Sequence, residues 1–340
     1  MNKDVELYLI HYNMNTRAQS FQELNHILIP KTPILGEFSV NRFDLDVVHF
    51  NYIPWEYRLF FPLLKPKKVA TSHISIGWRG DNYSENHVNL RRVAEPIAAR
   101  FLERIIAVSE NLKNRLVSYL RINPSKIDVI YESVDSTVFK VIADSTFLRK
   151  TNDRYGVNNS KFVIHASNFS LRKNPLILFK SFKSLVNHGF EGCLFVAGAG
   201  WKNGYIEQLV SDLGLRDRVR FTGYIPREDL AGLFNLSEVA FFPSLHENFC
   251  FPIVEAMACG SPVVASNAYS IPEITRDAAI LKKCQDYGGF ADALWNILQD
   301  SNLQESLKRR GLKNANRFSE KESIEQTIQF YKKTMMTCGG

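Results

Sequence analysis

Short apolar runs alternate with longer amphipathic stretches along almost the whole chain. VELYLI (Val5–Ile10), DVVHF (Asp46–Phe50), KVATS (Lys68–Ser72), RIIAV (Arg104–Val108) and KIDVIY (Lys126–Tyr131) read as short buried strands. Strands covered on both faces show continuous rather than alternating hydrophobicity. Helical patterns lie between them, notably over Ile53–Leu64 and Val88–Glu103. The segment from Ser136 to Ser160 is polar and reads as a linker, with a helix-like patch at Leu148–Tyr155. The alternation then restarts. Phe162–Ala166, Cys193–Ala197, Val219–Thr222, Val239–Pro243, Pro262–Ala265 and Ala279–Leu281 are the predicted strands. Pro175–Gly189, Tyr205–Leu213, Arg227–Asn235, Pro252–Cys259 and Tyr287–Asp300 are the predicted helices.

Two blocks of alternating strand and helix imply two α/β units, each a doubly wound parallel sheet covered by helices. Length agrees, because 340 residues at about 150 per domain gives two. Ligands of such sheets sit beyond the carboxyl ends of the strands, so with two such domains the default site is the cleft between them.

Composition narrows the partners. Hydrophobic residues make up 45% and charged residues 23%, an ordinary globular balance. The net charge of +7 is spread along the chain and accompanied by no basic-aromatic arm or zinc finger, which argues against nucleic acid. It leaves room for an anionic ligand or an anionic membrane surface. The five cysteines, Cys193, Cys250, Cys259, Cys284 and Cys338, form no CxxC pair and fit reduced thiols in a cytoplasmic protein. No signal peptide and no membrane-spanning run is expected, and the protein can still touch a membrane peripherally. The apolar, aromatic and then basic segment IPWEYRLFFPLLKPKK is one place for such contact, although a packed amphipathic helix is the plainer reading.

The chemistry concentrates in HENFCFPIVEAMACGSPVVAS, residues 246–266. A strand precedes it, Pro252 suits a helix first turn, and Gly260 suits its stop. A helix N-terminus at the carboxyl edge of a parallel sheet is a phosphate site. Glu247 in the loop and Glu255 in the helix flank it. A carboxylate beside a diphosphate is repelled, whereas it suits vicinal sugar hydroxyls. Two glutamates around a phosphate site therefore fit the two hydroxyl-rich ends of a nucleotide sugar.

The run from Ser244 to Ala265 resembles the E-x7-E signature of retaining glycosyltransferases of the GT-B fold, glycosyltransferase family 4, also called glycosyl transferases group 1. Ser244, Glu247, Phe249, Pro252, Glu255, Ala256, Met257, Ala258, Gly260, Pro262, Val263, Val264 and Ala265 fit the pattern. Asn248 and Cys250 stand where glycines are usual, and Tyr269 and Ser270 replace small residues further on. Further likeness runs through IIAVSENLKNRL, KIDVIYESVDSTVF, HASNFSLRKNP, LFVAGAGW and RFTGYIPREDL. The resemblance implies two Rossmann-like domains facing across a deep cleft. The acceptor-side domain is residues 1–140 with a C-terminal helix near 319–336 crossing back, and the donor-binding domain is residues 141–318.

It also implies roles. Lys173, with Arg172 or with Asn168 at the usual arginine position, would grip the donor diphosphate. Glu255 would take the ribose hydroxyls and Glu247 the sugar hydroxyls. Backbone near Gly223 and Tyr224 would meet the base. Backbone around Asn248, Phe249, Cys250 and Phe251 would meet sugar and phosphates, and His73 would face the sugar from the N-terminal domain. The expected activity is metal-independent, cofactor-free transfer of a sugar, with retention, from a UDP or GDP sugar to a hydroxyl acceptor, a saccharide or lipid-linked saccharide. The run DLD, Asp44 to Asp46, lies at a strand start, the wrong end for a metal at the crevice. Two other readings fit the same residues: a nucleotide-sugar epimerase or hydrolase, and a non-catalytic sugar-nucleotide-binding scaffold. The second is suggested by HYNMNTRAQSF, where the family's glycine-rich loop has no glycine.

Overall fold

The computed structural model describes residues 97–157 and 160–336 in full, together with the backbone of three earlier strands. Those strands are β1 (Tyr8–Leu9), β2 (Val47–Phe50) and β3 (Lys67–Ser72). His73, the glycine-free loop, Asp44 to Asp46, the helix expected at Ile53–Leu64 and residues 88–96 of the next one lie outside the described residues.

The chain divides into two compact units. In the first, β1, β2, β3, β4 (Arg104–Ala107) and β5 (Ile127–Val129) pair in that order, all parallel. Every residue of β4 is buried, as a two-face-covered parallel strand requires. Helix α1 (Glu110–Leu120) follows, its first turn capped by Ser109, whose hydroxyl accepts from the Leu112 amide at 3.2 Å. The last helix of the chain, α10 (Glu320–Met336), belongs to this unit from Ser323 onward. Its Phe330 and Tyr331 pack with Ile106 and Ile130. Arg104 pairs with Asp128 and lies 5.7 Å over the Phe330 ring, and Lys333 reaches the same carboxylate at 3.2 Å.

The second unit takes in Glu132–Glu322. Its six strands are β6 (Phe162–Ala166), β7 (Cys193–Ala197), β8 (Val219–Gly223), β9 (Val239–Phe242), β10 (Val263–Ser266) and β11 (Ala279–Lys282). They pair in the order β11-β10-β9-β6-β7-β8, all parallel. Helices α3 (Pro175–Asn187), α4 (Gly204–Asp212), α5 (Arg227–Leu236), α6 (Phe251–Ala258), α7 (Ile271–Thr275), α8 (Tyr287–Gln299) and α9 (Ser301–Ala315) connect or cover them. Helix α3 shows why the sequence folds this way. Proline opens it, and Leu178, Phe179, Phe182 and Leu185 recur at helical spacing to give one buried face. That face joins Trp201, Phe241 and Phe290 in the core, where each large apolar side chain contributes about 1.5–3 kcal/mol.

Two sequence expectations change. The polar stretch read as a linker carries α2 (Ser145–Arg154), and this helix packs on α5 within the second unit. Thr151 lies against Gly232, and the Asp229 carboxylate accepts from Arg154 at 2.7 Å and from the Tyr155 hydroxyl at 2.6 Å. The segment looked unattached because its attachment is mostly polar. Helix α9 was not expected at all. Its buried side is a narrow stripe of Leu307, Gly311, Asn314 and Ala315, too weakly apolar to show as a period.

Candidate functional site

The second sheet grows from β6 in two directions: β7 and β8 on one side, β9, β10 and β11 on the other. The switch point therefore lies between β6 and β9, where helices leave on opposite faces and a crevice opens beyond the carboxyl ends. Three loops meet at this edge: residues 167–174 after β6, 243–250 after β9, and 267–270 after β10.

The loop after β6 is braced from behind. His165, fully buried inside an apolar strand, links the Phe241 carbonyl and the Ser167 hydroxyl, each at 2.8 Å, and its ring meets Trp201 edge-on at 5.1 Å. Burial pulls its pKa down to about 4, so it is neutral and structural at pH 7. Asn168 is exposed, and its side-chain oxygen accepts from the Ala199 amide at 3.0 Å. It steadies the loop after β7 and brings no charge. The cations come from the next turn, Leu171–Lys173. Asn174 closes that turn in the left-handed region, at φ 59°, with its amide on the carbonyls of Pro243 at 3.1 Å and Cys284 at 2.9 Å.

Arg172 and Lys173 both converge on Glu247. Lys173 Nζ donates to Glu247 Oε1 at 2.6 Å, and Arg172 Nη1 donates to Oε2 at 2.6 Å and to the His246 carbonyl at 2.8 Å. The carboxylate is buried, with 5% of its residue surface exposed. Burial alone would raise its pKa, yet Lys173 and then Arg172 outweigh that and hold it down to about 2. It is ionised throughout the physiological range. The peptide of Glu247 is held from the other side, its carbonyl accepting from the Ser270 hydroxyl at 2.9 Å.

Beyond Glu247 the chain enters α6. Cys250 adopts φ 73° to make the turn, a left-handed conformation that costs a side-chain-bearing residue about 1–2 kcal/mol. Its thiol is buried, and burial followed by the Glu247 charge pushes its pKa upward, so it stays protonated and is no nucleophile. Phe249 is buried between Phe251 and Phe318, each ring at 5.3 Å, while Phe251 is partly exposed. The N-terminus of α6 directs its partial positive charge to this edge. Glu255, one turn in, has its pKa raised to about 7 by burial, with Arg227 pulling the other way. Arg227 is set by Asp135, whose carboxylate it meets at 3.1 Å, and by the Phe139 ring at 5.3 Å.

Gly223 ends β8 at φ 68°, followed by Tyr224, which is 78% exposed. With β8 two strands from β6, it stands about 10 Å to the side. The fold thus joins Arg172, Lys173 and Glu247 in direct contact and places Asn248 to Phe251 and Glu255 on the adjoining helix entry. It sets Gly223 and Tyr224 apart, and gives Asn168 a bracing role. Sequence reasoning passed over His246, Ser270, Asp135 and Arg227 as site-shaping residues. The available signals were position beside motif Glu247 for His246 and membership of the runs KIDVIYESVDSTVF and RFTGYIPREDL for Asp135 and Arg227. Among the described residues no cluster of three or more acidic, histidine or cysteine side chains could hold a metal ion, and no helix is long and apolar enough to cross a membrane.

A parallel sheet with helices between its strands and charged side chains at its switch point defines a ligand-binding α/β protein. Comparison with known proteins makes this specific. The family model for glycosyl transferases group 1 matches residues 149–314, and that for glycosyltransferase family 4 matches residues 27–138. The chain belongs to this glycosyltransferase family, and its fold is GT-B. It is 39% identical over 134 residues to O-antigen chain mannosyltransferase B of Escherichia coli, covering 39% of this chain and 35% of that protein. It is 31% identical over 210 residues to N-acetyl-alpha-D-glucosaminyl L-malate synthase of Bacillus anthracis, covering 61% and 53%. The chain thus spans roughly a third to a half of these relatives' length. Among solved structures, Anabaena HepE in complex with UDP aligns with TM-score 0.79 at 19% identity over 96% of this chain and 99% of that one. Sucrose-phosphate synthase from Thermosynechococcus elongatus aligns with TM-score 0.74 at 22% identity over 91% and 80%.

Proposed function

We propose that this protein transfers a sugar, with retention and without a metal, from a nucleoside diphosphate sugar to the hydroxyl of a saccharide or lipid-linked saccharide during glycan or glycolipid synthesis. The observation that carries the reading is the Lys173–Glu247–Arg172 cluster at the switch point of the second sheet. Two cations fixed by a buried carboxylate need no rearrangement to face a departing diphosphate, and such preorganised charge is the largest contribution open to a site of this kind. The N-terminal amides of α6 add to it. Glu247 keeps lone pairs beyond the two used on its cations, enough for a sugar hydroxyl. Glu255, one helical turn away, faces the ribose on this reading, and the backbone at Gly223 and Tyr224 the base. The diphosphate itself takes the acceptor proton, with attack from its own face. His73 keeps its sugar-facing role on the resemblance alone. The setting in this proposal is cytoplasmic, with room for peripheral membrane contact.

The relatives support donor chemistry of this type: HepE is described in complex with UDP-glucose. The test is thermal unfolding in the presence of UDP, GDP, ADP and dTDP and their sugars, since a ligand of the native state raises stability by mass action. A clear shift with one nucleotide series, and sugar transfer from its members, is expected. No shift with any series would overturn the reading.

A further inference from the structure

We propose that Tyr269 is a specificity-determining residue of the donor site, a rigid side wall that admits a plain hexose and excludes an N-acetylhexosamine; this rests on the donor reading above. The loop after β10 is next to the loop that carries Glu247, because β10 pairs with β9. The two loops are pinned together at the glutamate itself, through the Ser270 hydroxyl on its carbonyl. Tyr269 immediately precedes that pin. Its ring stands edge-on against His246, with centroids 4.1 Å apart and planes at 68°. His246 is fully buried, and its carbonyl is held by Arg172, so the surface behind Tyr269 does not yield. Tyr269 is 41% exposed and packs on His246 from a loop that leaves β10 at the carboxyl edge of the sheet.

The ring is placed there against the preference of its own backbone. Tyr269 has φ 50°, in a turn closed by the Ile271 amide on the Ala268 carbonyl at 3.0 Å. Glycine fits this conformation without strain, and glycine would leave the space open. A phenol in its place subtracts room from the ground beside Glu247. Hydroxyl groups are read by hydrogen bonds to a carboxylate, whereas a rigid ring discriminates by bulk. An acetamido substituent is the common feature of sugar donors that such a wall would reject.

The experiment titrates the parent protein, Tyr269→Gly and Tyr269→Phe with each free nucleotide and with the hexose and N-acetylhexosamine of its series, using UDP, GDP and ADP. The parent is expected to bind the hexose at least about tenfold more tightly than the N-acetylhexosamine, in the range that one steric group supplies. Tyr269→Gly should bring the two within about threefold and leave the free nucleotide's affinity unchanged, while Tyr269→Phe, which keeps the wall, should discriminate like the parent. Parent preference for the N-acetylhexosamine, unchanged discrimination in Tyr269→Gly, or its loss in Tyr269→Phe would overturn the inference while the donor reading stands. A parent protein that binds no nucleotide in any series would overturn both.

Discussion

Replacing Glu247 by glutamine removes a charge and almost nothing else. The side chain keeps its length and one carbonyl oxygen, yet Lys173 and Arg172 are left facing each other without a counter-ion. Lys173 is 8% exposed, so water replaces the lost charge poorly, while Arg172, with 21% of its side chain exposed, still meets solvent and anions. Removing one partner of such a buried pair costs about 3–5 kcal/mol. An independent figure comes from the acid itself: lowering its pKa from 4.5 to about 2 in the folded state corresponds to about 3 kcal/mol at neutral pH. The sign follows from the direction. A carboxylate held below its unfolded value stabilises the fold fully above pH 4.5, and that stability is lost as pH falls toward 2. Glu247→Gln should therefore be destabilised at pH 7 by about 3 kcal/mol, which for a unit of this size lowers the unfolding midpoint by about 6–12 °C. Fluorescence-monitored thermal unfolding of parent and variant reads this directly. Adding inorganic diphosphate supplies the missing negative charge, so it should stabilise the variant more than the parent. Equal midpoints for the two proteins at pH 7, or an equal response to diphosphate, would refute the view that the carboxylate is a counter-ion.

Two further outcomes test the same edge of the sheet. Lys173→Met should lower the transfer rate by about 100-fold or more with a smaller effect on donor affinity, because its charge is most needed as the diphosphate departs; a steady-state comparison giving wild-type kcat would remove Lys173 from the mechanism. Glu255 has the opposite pH logic, since its folded pKa is raised to about 7: stability it confers when protonated is lost as pH rises from 4.5 through 7. Glu255→Gln should be more stable than the parent at pH 8, indistinguishable at pH 4, and weaker in nucleotide-sugar binding; a parent whose relative stability does not change across that range would contradict the assignment.

Local pattern carried much of this molecule. Phe162–Ala166, Cys193–Ala197 and Val263–Ser266 are continuous apolar runs because both faces of their sheet are covered, and continuity is visible in one dimension. Glu247 and Glu255 stood out by their surroundings, a helix opening with proline and stopping at glycine. The bond between Glu247 and Lys173 was not visible, because the two residues are 74 positions apart and meet only when β9 pairs with β6. The same holds for Arg227 and Asp135, 92 positions apart. Asn168 gained a role that its position did not reveal: its side-chain oxygen accepts from the Ala199 amide, 31 positions away. Helix α9 escaped because a glycine, Gly311, sits where it presses against Met257, so close packing took the place of apolar bulk.

The last helix has a consequence for how the chain assembles. Ser323 bonds to the Tyr131 carbonyl across 192 positions, and Lys333 to Asp128 across 205. The second unit, by contrast, has its run Glu132–Glu322 complete before most of that helix has been synthesised. On a ribosome the later unit can therefore close first, while the earlier one waits with Ile106 and Ile130 uncovered until Phe330 and Tyr331 emerge. Ile106 and Ile130 thus stay uncovered while the whole of Glu132–Glu322 is made, and that is when the nascent chain most needs protection from aggregation.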